Sequence, residues 1–467
     1  MSILRMAVAG VVVVVGGLVG PVGAADVVVR ADKACQTIEG FGTCMVGWSR
    51  RHSELYRTEK FQRFYVKEMG CSMLRVPLWG PISKEPVEDF RKIRYQDFQY
   101  DARAQVYLDF AKAVKAIDPS LRVIATCWSP PPWMKVSRKL AGGKAHGIKA
   151  SSYGGSTDRL DPKYLKHYAR WLVELAKQYK ASGAGLYAIS PGNEIQFTEP
   201  YESCVWTAAD FCKIVAELGE QLEASGLGDV LVFGPETMTS HFYAGGTGDY
   251  IQAVAKTPSA MRQLDRWATH GYEDGVIAEF KASHAAKLYE AIRPHRKAVW
   301  MTESGTKGHD WPEPVRNGVA TALHNGLVAG SFSAYLPWQI VDAKPTTHCL
   351  STLAGPTKKT YAAMHYFKHI RPGAVRLATV PAFGEIMVSA YAHKNNRTLT
   401  VVAINASRRD QAVRVRFAGL RRLGAFSTWR TTATESIKAL PATPVRQNVA
   451  SLRLPAESIV TLQGLAR

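Results

Sequence analysis

Two glutamates stand where apolar, β-rich runs give way to loops: Glu194 in Ile-Ser-Pro-Gly-Asn193-Glu194 and Glu303 in Val-Trp-Met-Thr-Glu303-Ser. A carboxyl at the end of a buried strand is held rigidly yet touches solvent, and two such acids are the minimum equipment for cleaving a glycosidic bond. In the retaining form of that chemistry one carboxyl acts as acid and then base, and the other is the nucleophile, roughly 5 to 5.5 Å away. Glu194 follows Asn193, whose amide can hold a sugar hydroxyl beside the scissile bond, so Glu194 is assigned as acid/base and Glu303 as nucleophile. An ionised nucleophile needs a cation or donors to keep its pKa low, and Arg75, in Leu-Arg-Val-Pro-Leu, is the candidate. Either glutamate alone reads as a solvated loop acid. The pair at matched strand ends reads as a site.

Flat rings at neighbouring strand ends suit a sugar, because they cover the apolar face of a pyranose while polar neighbours bond its hydroxyls. Trp128 and Trp338 end the third and eighth strand candidates, with Trp79 and Trp133 as weaker choices. Packing in the core or a loop is the competing reading for any single tryptophan. His270 and Tyr272, at the sixth strand end, can bond the nucleophile or its substrate; a satisfied structural histidine is the alternative. Glu236, after Phe-Gly-Pro, is a third carboxylate near the rim and is read as positioning its neighbours. No CxxC or Cys/His ligand spacing occurs, so no metal and no cofactor is expected.

The elements that would carry these groups alternate as strand and helix. Glu194 and Glu303 lie 109 positions apart, three units of about 36 residues, close to the repeat of a barrel of roughly 250 residues or more. Eight short apolar runs fit the strands: residues 39–46, 73–78, 122–127, 185–190, 230–234, 266–270, 297–301 and 331–336. Helices are expected between them, including 101–117 with Asp101 as N-cap and 162–180 with Asp161 as cap and Pro162 in the first turn. Beyond Pro372 the texture changes to alternating strands, at 386–392, 398–404, 412–417 and 458–462. The valine-rich stretch Asp26 to Arg30 is expected to pair with that tail. The predicted fold is a (β/α)8 TIM barrel over 36–370 with a side β-sandwich built from 25–35 and 371–467.

At 467 residues, 46% hydrophobic and 21% charged, the chain suits a large barrel plus a smaller module and is not disordered. Residues 1–24 differ in character: Arg5 supplies a basic start, Ala7 to Val19 an apolar run, and Val22-Gly23-Ala24 the small residues before a cleavage point. That pattern predicts a signal peptide and a secreted protein, extracellular or periplasmic. The run is short of the roughly 18 residues a spanning helix needs, so no integral membrane segment is expected after cleavage. The net charge of +20 favours acidic partners. Nucleic acid is not expected, because the cations are dispersed, with only short clusters such as Arg408-Arg409 and Arg421-Arg422, and no zinc-finger, helix-turn-helix or RNP signature appears. An acidic polysaccharide or cell surface is the better use of the charge, with a generally basic soluble surface as the other reading. Seven cysteines are too few for a disulfide scaffold of this size, and their odd count leaves one unpaired even if the rest bridge.

Taken in order, Gln36-Thr-Ile-Glu-Gly-Phe-Gly42, Arg75-Val-Pro, Trp128-Ser-Pro-Pro-Pro-Trp-Met134, Asn193-Glu194, Tyr201-Glu-Ser-Cys-Val-Trp206, Thr302-Glu303-Ser304 and Ile370-Arg-Pro-Gly373 resemble glycoside hydrolase family 30, in clan A. The likeness spans nearly the whole chain after the leader. It implies a barrel with a side β-sandwich, retention of anomeric configuration, and Glu194 and Glu303 in the roles above. The family is usually written with Pro after the catalytic Asn-Glu, whereas this chain has Ile195. Members cleave xylan, β-1,6-galactan, β-1,6-glucan or glucosylceramide, and the polysaccharide branches resemble this chain best. A catalytically silent carbohydrate-binding barrel is the contrasting class. The leader itself makes a prediction: N-terminal sequencing of the exported protein should read from Ala25, and a chain that keeps Met1 would refute it.

Overall fold

The computed structural model describes residues 25–78, 86–240, 242, 246–272, 281–420 and 423–465. The expected leader, Trp79 and the Arg421-Arg422 cluster lie outside the described residues. All eight expected barrel strands form: β2 (Gly40–Cys44), β3 (Met73–Pro77), β4 (Arg122–Thr126), β5 (Leu186–Ser190), β6 (Leu231–Thr237), β7 (Arg266–His270), β8 (Val299–Glu303) and β9 (Ala334–Tyr335), after an N-terminal β1 (Ala25–Thr37). Each barrel strand pairs in parallel with the next, and β9 closes on β2 through Ala334 opposite Gly40 and Tyr335 opposite Phe41. Parallel strands covered on both faces carry no polar alternation. Every residue of β3 and of β8 is accordingly buried.

Side chains from successive strands fill the barrel. Met73, Ile124, Ala188, Phe233, Ala268, Trp300, Ala334 and Leu336 form that inner core, so the interior is a packed plug with no bore and the chemistry must sit above it. Gly42 shows how tightly the first strands approach, since a Cβ there would stand 1.8 Å from the carbonyl oxygen of Met73. Outside the strands, helices bury apolar stripes against the sheet. Asp101 caps Ala102–Ile117 by accepting the Ala104 N–H at 2.8 Å, and Asp161 opens the 3-10 turn Pro162–Tyr164 that runs into Leu165–Ala181.

The tail strands form one ten-stranded sheet, nearly closed on itself, whose facing halves enclose a core of their own as expected of the side β-sandwich. β1 lies inside this sheet, antiparallel to Val375–Val380 and parallel to Gln411–Ala418. Val27 and Val29 of β1 point inward with Val401, Val415, Phe417, Phe426 and Leu462. Tyr391, Val402, Ile404 and Ile459 face the other way and merge with the outer core of the barrel. Asn405 is fully buried, its amide bonded to the carbonyl oxygens of Arg409, Leu454 and Pro455. All seven cysteines are free thiols, and only Cys35 is exposed. Among the described residues no helix is long and apolar enough to cross a membrane.

The inner core should be intolerant of loss. Phe233 packs on Trp300 with ring centroids 5.4 Å apart, and Phe233→Ala should cost about 3 to 5 kcal/mol, read as a lower midpoint in urea unfolding.

Candidate active site

The C-terminal ends of the barrel strands converge on Arg75. Arg75 is the central residue of β3, and its side chain has no exposed surface. Its Nε donates to Thr126 Oγ1 at 3.1 Å, Nη1 to Glu303 Oε1 at 2.7 Å and to Cys44 Sγ at 3.7 Å, and Nη2 to Asn193 Oδ1 at 2.7 Å. Nη2 also stands 3.1 Å from Glu236 Oε1 as an ion pair. A guanidinium only donates, so the oxygen of the Asn193 amide must face it, which leaves the NH2 group as the donor on the cleft wall. Trp128 covers the guanidinium at 4.8 Å and Trp338 at 5.9 Å.

Glu303 closes β8 and also accepts the Tyr272 hydroxyl at 3.2 Å. His270 sits between the acids: Nδ1 is 3.0 Å from Glu194 Oε1 and 3.5 Å from Glu303 Oε2, and Nε2 is 3.7 Å from Glu236 Oε1. Its nearest partner is therefore Glu194 instead of the nucleophile or a substrate. One carboxylate oxygen of Glu194 and one of Glu303 lie within 4.8 Å of each other, in the range of a retaining pair and short of the roughly 6.5 to 9.5 Å that leaves room for a water in an inverting one. Glu194 and Glu236 both adopt left-handed backbone, φ 44° and 53°, and the Glu194 N–H donates to the Glu236 carbonyl at 2.9 Å. Non-glycine residues hold such angles only where the surroundings fix them.

Charge at this centre is balanced by burial against pairing. Burial alone would raise Glu236, but Arg75, His270 and Thr126 outweigh it and hold the carboxyl at about 2. Burial would neutralise His270, yet Glu303, Glu194 and Glu236 lift it to about 9. For Glu303 burial, helped by the repulsion of Glu194 and Glu236, prevails over the pull of His270 and Arg75 and moves the carboxyl up from its ordinary range. That corrects the expectation that Arg75 keeps it low: the cation is in place, but the site is too dry for it to win. By distance, Glu194, His270 and Glu303 could surround a cation. A histidine that stays protonated at neutral pH is a donor and a poor ligand, and Arg75 already occupies one oxygen of Glu303.

Above this floor opens a cavity of about 300 Å³, lined by Asn193, Glu194, Glu303, Trp128, Tyr272 and Trp338 together with Trp48, Tyr201, Met238 and His348. The last four were missed by sequence reasoning as site residues. Trp48 lies just past β2, and Tyr201 belongs to a segment singled out above without a role; His348 and Met238 carry no sequence signal. Trp48 and Tyr201 are the exposed aromatics, 54% and 45% accessible, while Trp128 is buried as a wall. Trp133 is no platform: it packs on Tyr164 and His167, outside the cleft. Lys135, fully buried, ties the loop after β4 to the Tyr201 segment through Asp158 at 2.6 Å and the Ser203 carbonyl at 2.6 Å.

The chain is 27% identical over 454 residues to the glucuronoxylanase XynC of Bacillus subtilis, covering 94% of this chain and 91% of that protein. It superposes on the family 30 subfamily 8 xylanase of Clostridium acetobutylicum with a TM-score of 0.74, at 23% identity, over 94% of this chain and 100% of that one. An endo-β-1,6-glucanase follows at a TM-score of 0.67 and 18% identity, over 96% of both chains. The chain is a homologue of that glucuronoxylanase and shares the fold of family 30 glycoside hydrolases. No family model matches it. Its departure from the family pattern falls outside the cleft, because Ile195 is fully buried, with its carbonyl accepting the Trp206 N–H.

The electrostatics predict a pH dependence. The folded value of His270, about 9, lies above the ordinary 6.5, so its stabilisation is complete below about pH 6.5 and is lost as pH climbs through about 9. The difference in urea midpoint between the unmodified protein and His270→Gln should therefore be largest near pH 6 and shrink by pH 9.5; a constant difference would contradict the charged His270.

Proposed function

We propose that the protein is a retaining hydrolase of β-linked polysaccharide, with uronate-bearing xylan as the leading substrate. The observation that carries the reading is the approach of the Glu194 and Glu303 carboxylates to within 4.8 Å. In the first step Glu303 attacks the anomeric carbon while Glu194 protonates the departing glycosidic oxygen. Arg75 and Tyr272 hold the nucleophile still, so no reorganisation is needed as its charge moves to the sugar. The Asn193 NH2 group is placed to bond a hydroxyl next to the reacting carbon. In the second step Glu194, now a base, takes a proton from water, and the glycosyl ester on Glu303 is released with net retention.

The whole-length similarity to a protein named glucuronoxylanase supports xylan, and the basic surplus of the chain suits a polymer bearing carboxylates. A second reading, β-1,6-glucan, is favoured by the fold shared with an endo-β-1,6-glucanase. Hydrolysis of glucuronoxylan, β-1,6-galactan, β-1,6-glucan and glucosylceramide decides among them, and turnover of the lipid alone would overturn the polysaccharide reading.

Glu194→Gln should lower kcat by about 10² to 10⁴-fold, with partial recovery by azide, which needs no general base. Glu303→Gln should abolish nearly all turnover while glycan affinity persists. Turnover that survives in Glu303→Gln would remove it as nucleophile.

A further inference from the structure

A second, larger cavity, of about 630 Å³, opens at the opposite end of the barrel, where the strands begin. Arg122 starts β4 and Arg266 starts β7, and Arg293, Arg296 and Lys297 come from the turn that leads into β8. Five cations thus surround one concave space. The carboxylate facing them is Glu39, and it is fully committed: it accepts Arg266 at 2.9 Å, Tyr187 at 3.0 Å, and Trp300 and Ser333 at 3.2 Å each. That network seals the floor of the barrel and accounts for Arg266. Arg122 lies over the Tyr187 ring at 4.5 Å.

Arg293, Arg296 and Lys297 are not consumed in this way, and among the described residues none of them forms an ion pair. Asp265, the other nearby acid, accepts the backbone N–H of Val232. Lys297 is held below the ordinary lysine range by burial first, against the attraction of Asp265 and with the added repulsion of Arg266. Cations crowded in a concave, partly dry space raise the local concentration of anions well above that over a flat surface. The cavity is also lined by the Tyr289 ring and the Ser331 hydroxyl, a flat apolar face beside polar groups, the mixture that a sugar takes. With Glu39 locked by its donors, no other carboxyl among the described residues lines the cavity to act as acid or base. The cavity can bind but not cut.

The geometry points to a non-catalytic site for an acidic oligosaccharide, one carrying uronate carboxylates, on the barrel face opposite the catalytic mouth. Two sites on opposite faces of one molecule allow an acidic polymer to hold the protein at one end of the barrel while another stretch or another chain occupies the mouth, which raises the effective concentration at the mouth with no new contact there. The claim stands whichever β-glycan the mouth accepts.

Cys35 lies at the rim of this cavity and is the one exposed thiol, so occupancy can be read without any substitution. Tetragalacturonate should slow alkylation of Cys35 by iodoacetamide, whereas cellotetraose should not. In calorimetry on Glu303→Gln protein, which silences turnover, tetragalacturonate should bind and should weaken as salt is raised. Adding Arg293→Ala and Lys297→Ala should weaken it at least tenfold. The same pair of substitutions in the active protein should leave kcat on a neutral glycan unchanged, because neither residue approaches the mouth. Unslowed Cys35 alkylation, undiminished binding by the double variant, or equal protection by inorganic pyrophosphate would overturn the assignment, the last because it would mark a general anion site with no use for the sugar.

Discussion

A single buried guanidinium organises the mouth of this barrel. Arg75 has five N–H groups, and around them stand Thr126, Glu303, Cys44, Asn193 and Glu236, contributed by five strands or strand ends other than its own. A cation so completely withdrawn from water persists only when its donors are matched by partners. Matching them fixes the azimuth of each strand end, and with it the two working acids. The positive charge also explains why three carboxylates can crowd into so small a volume: Arg75 and protonated His270 offset two of them, and burial raises Glu303.

Glu236 illustrates how division of labour arises among chemically identical side chains. It is the most deeply enclosed of the three and the most strongly held as an anion, so it has neither access to a substrate nor a proton to give. It orients Thr126 and Arg75 instead, and its backbone carbonyl receives the N–H of Glu194. The left-handed angles at Glu194 and Glu236 belong to the same arrangement: two turns lean on each other, and the strain in both is met by one shared hydrogen bond and the packing around it.

The barrel was legible in the chain because its strands are buried on both faces and read as continuous apolar runs bounded by turn residues. Arg266 to His270 was delimited to the residue, and the other seven strands within a few positions of their ends. The acids were legible because catalytic groups sit at strand ends. What depends on three-dimensional enclosure was not. No pattern in the sequence says that Glu303 is drier than Glu194, so the direction of its pKa was misjudged. Strand position sets Trp128, which covers Arg75, ahead of Trp133 five residues later, but nothing local says that Trp133 packs on Tyr164 and His167. The cleft residues Met238 and His348 arrive on loops, where neither periodicity nor strand position marks them.

The placement of β1 has a consequence for how the molecule is made. Val28 pairs with Val380, about 350 positions later, and such distant partners slow assembly because loop closure precedes any reward. β1 must therefore wait for these partners while the whole barrel is synthesised, and it finds its slot only after Val375–Val380 and Gln411–Ala418 have emerged. β1 in effect acts as a latch that cannot engage until the barrel lying between it and its partners has been made.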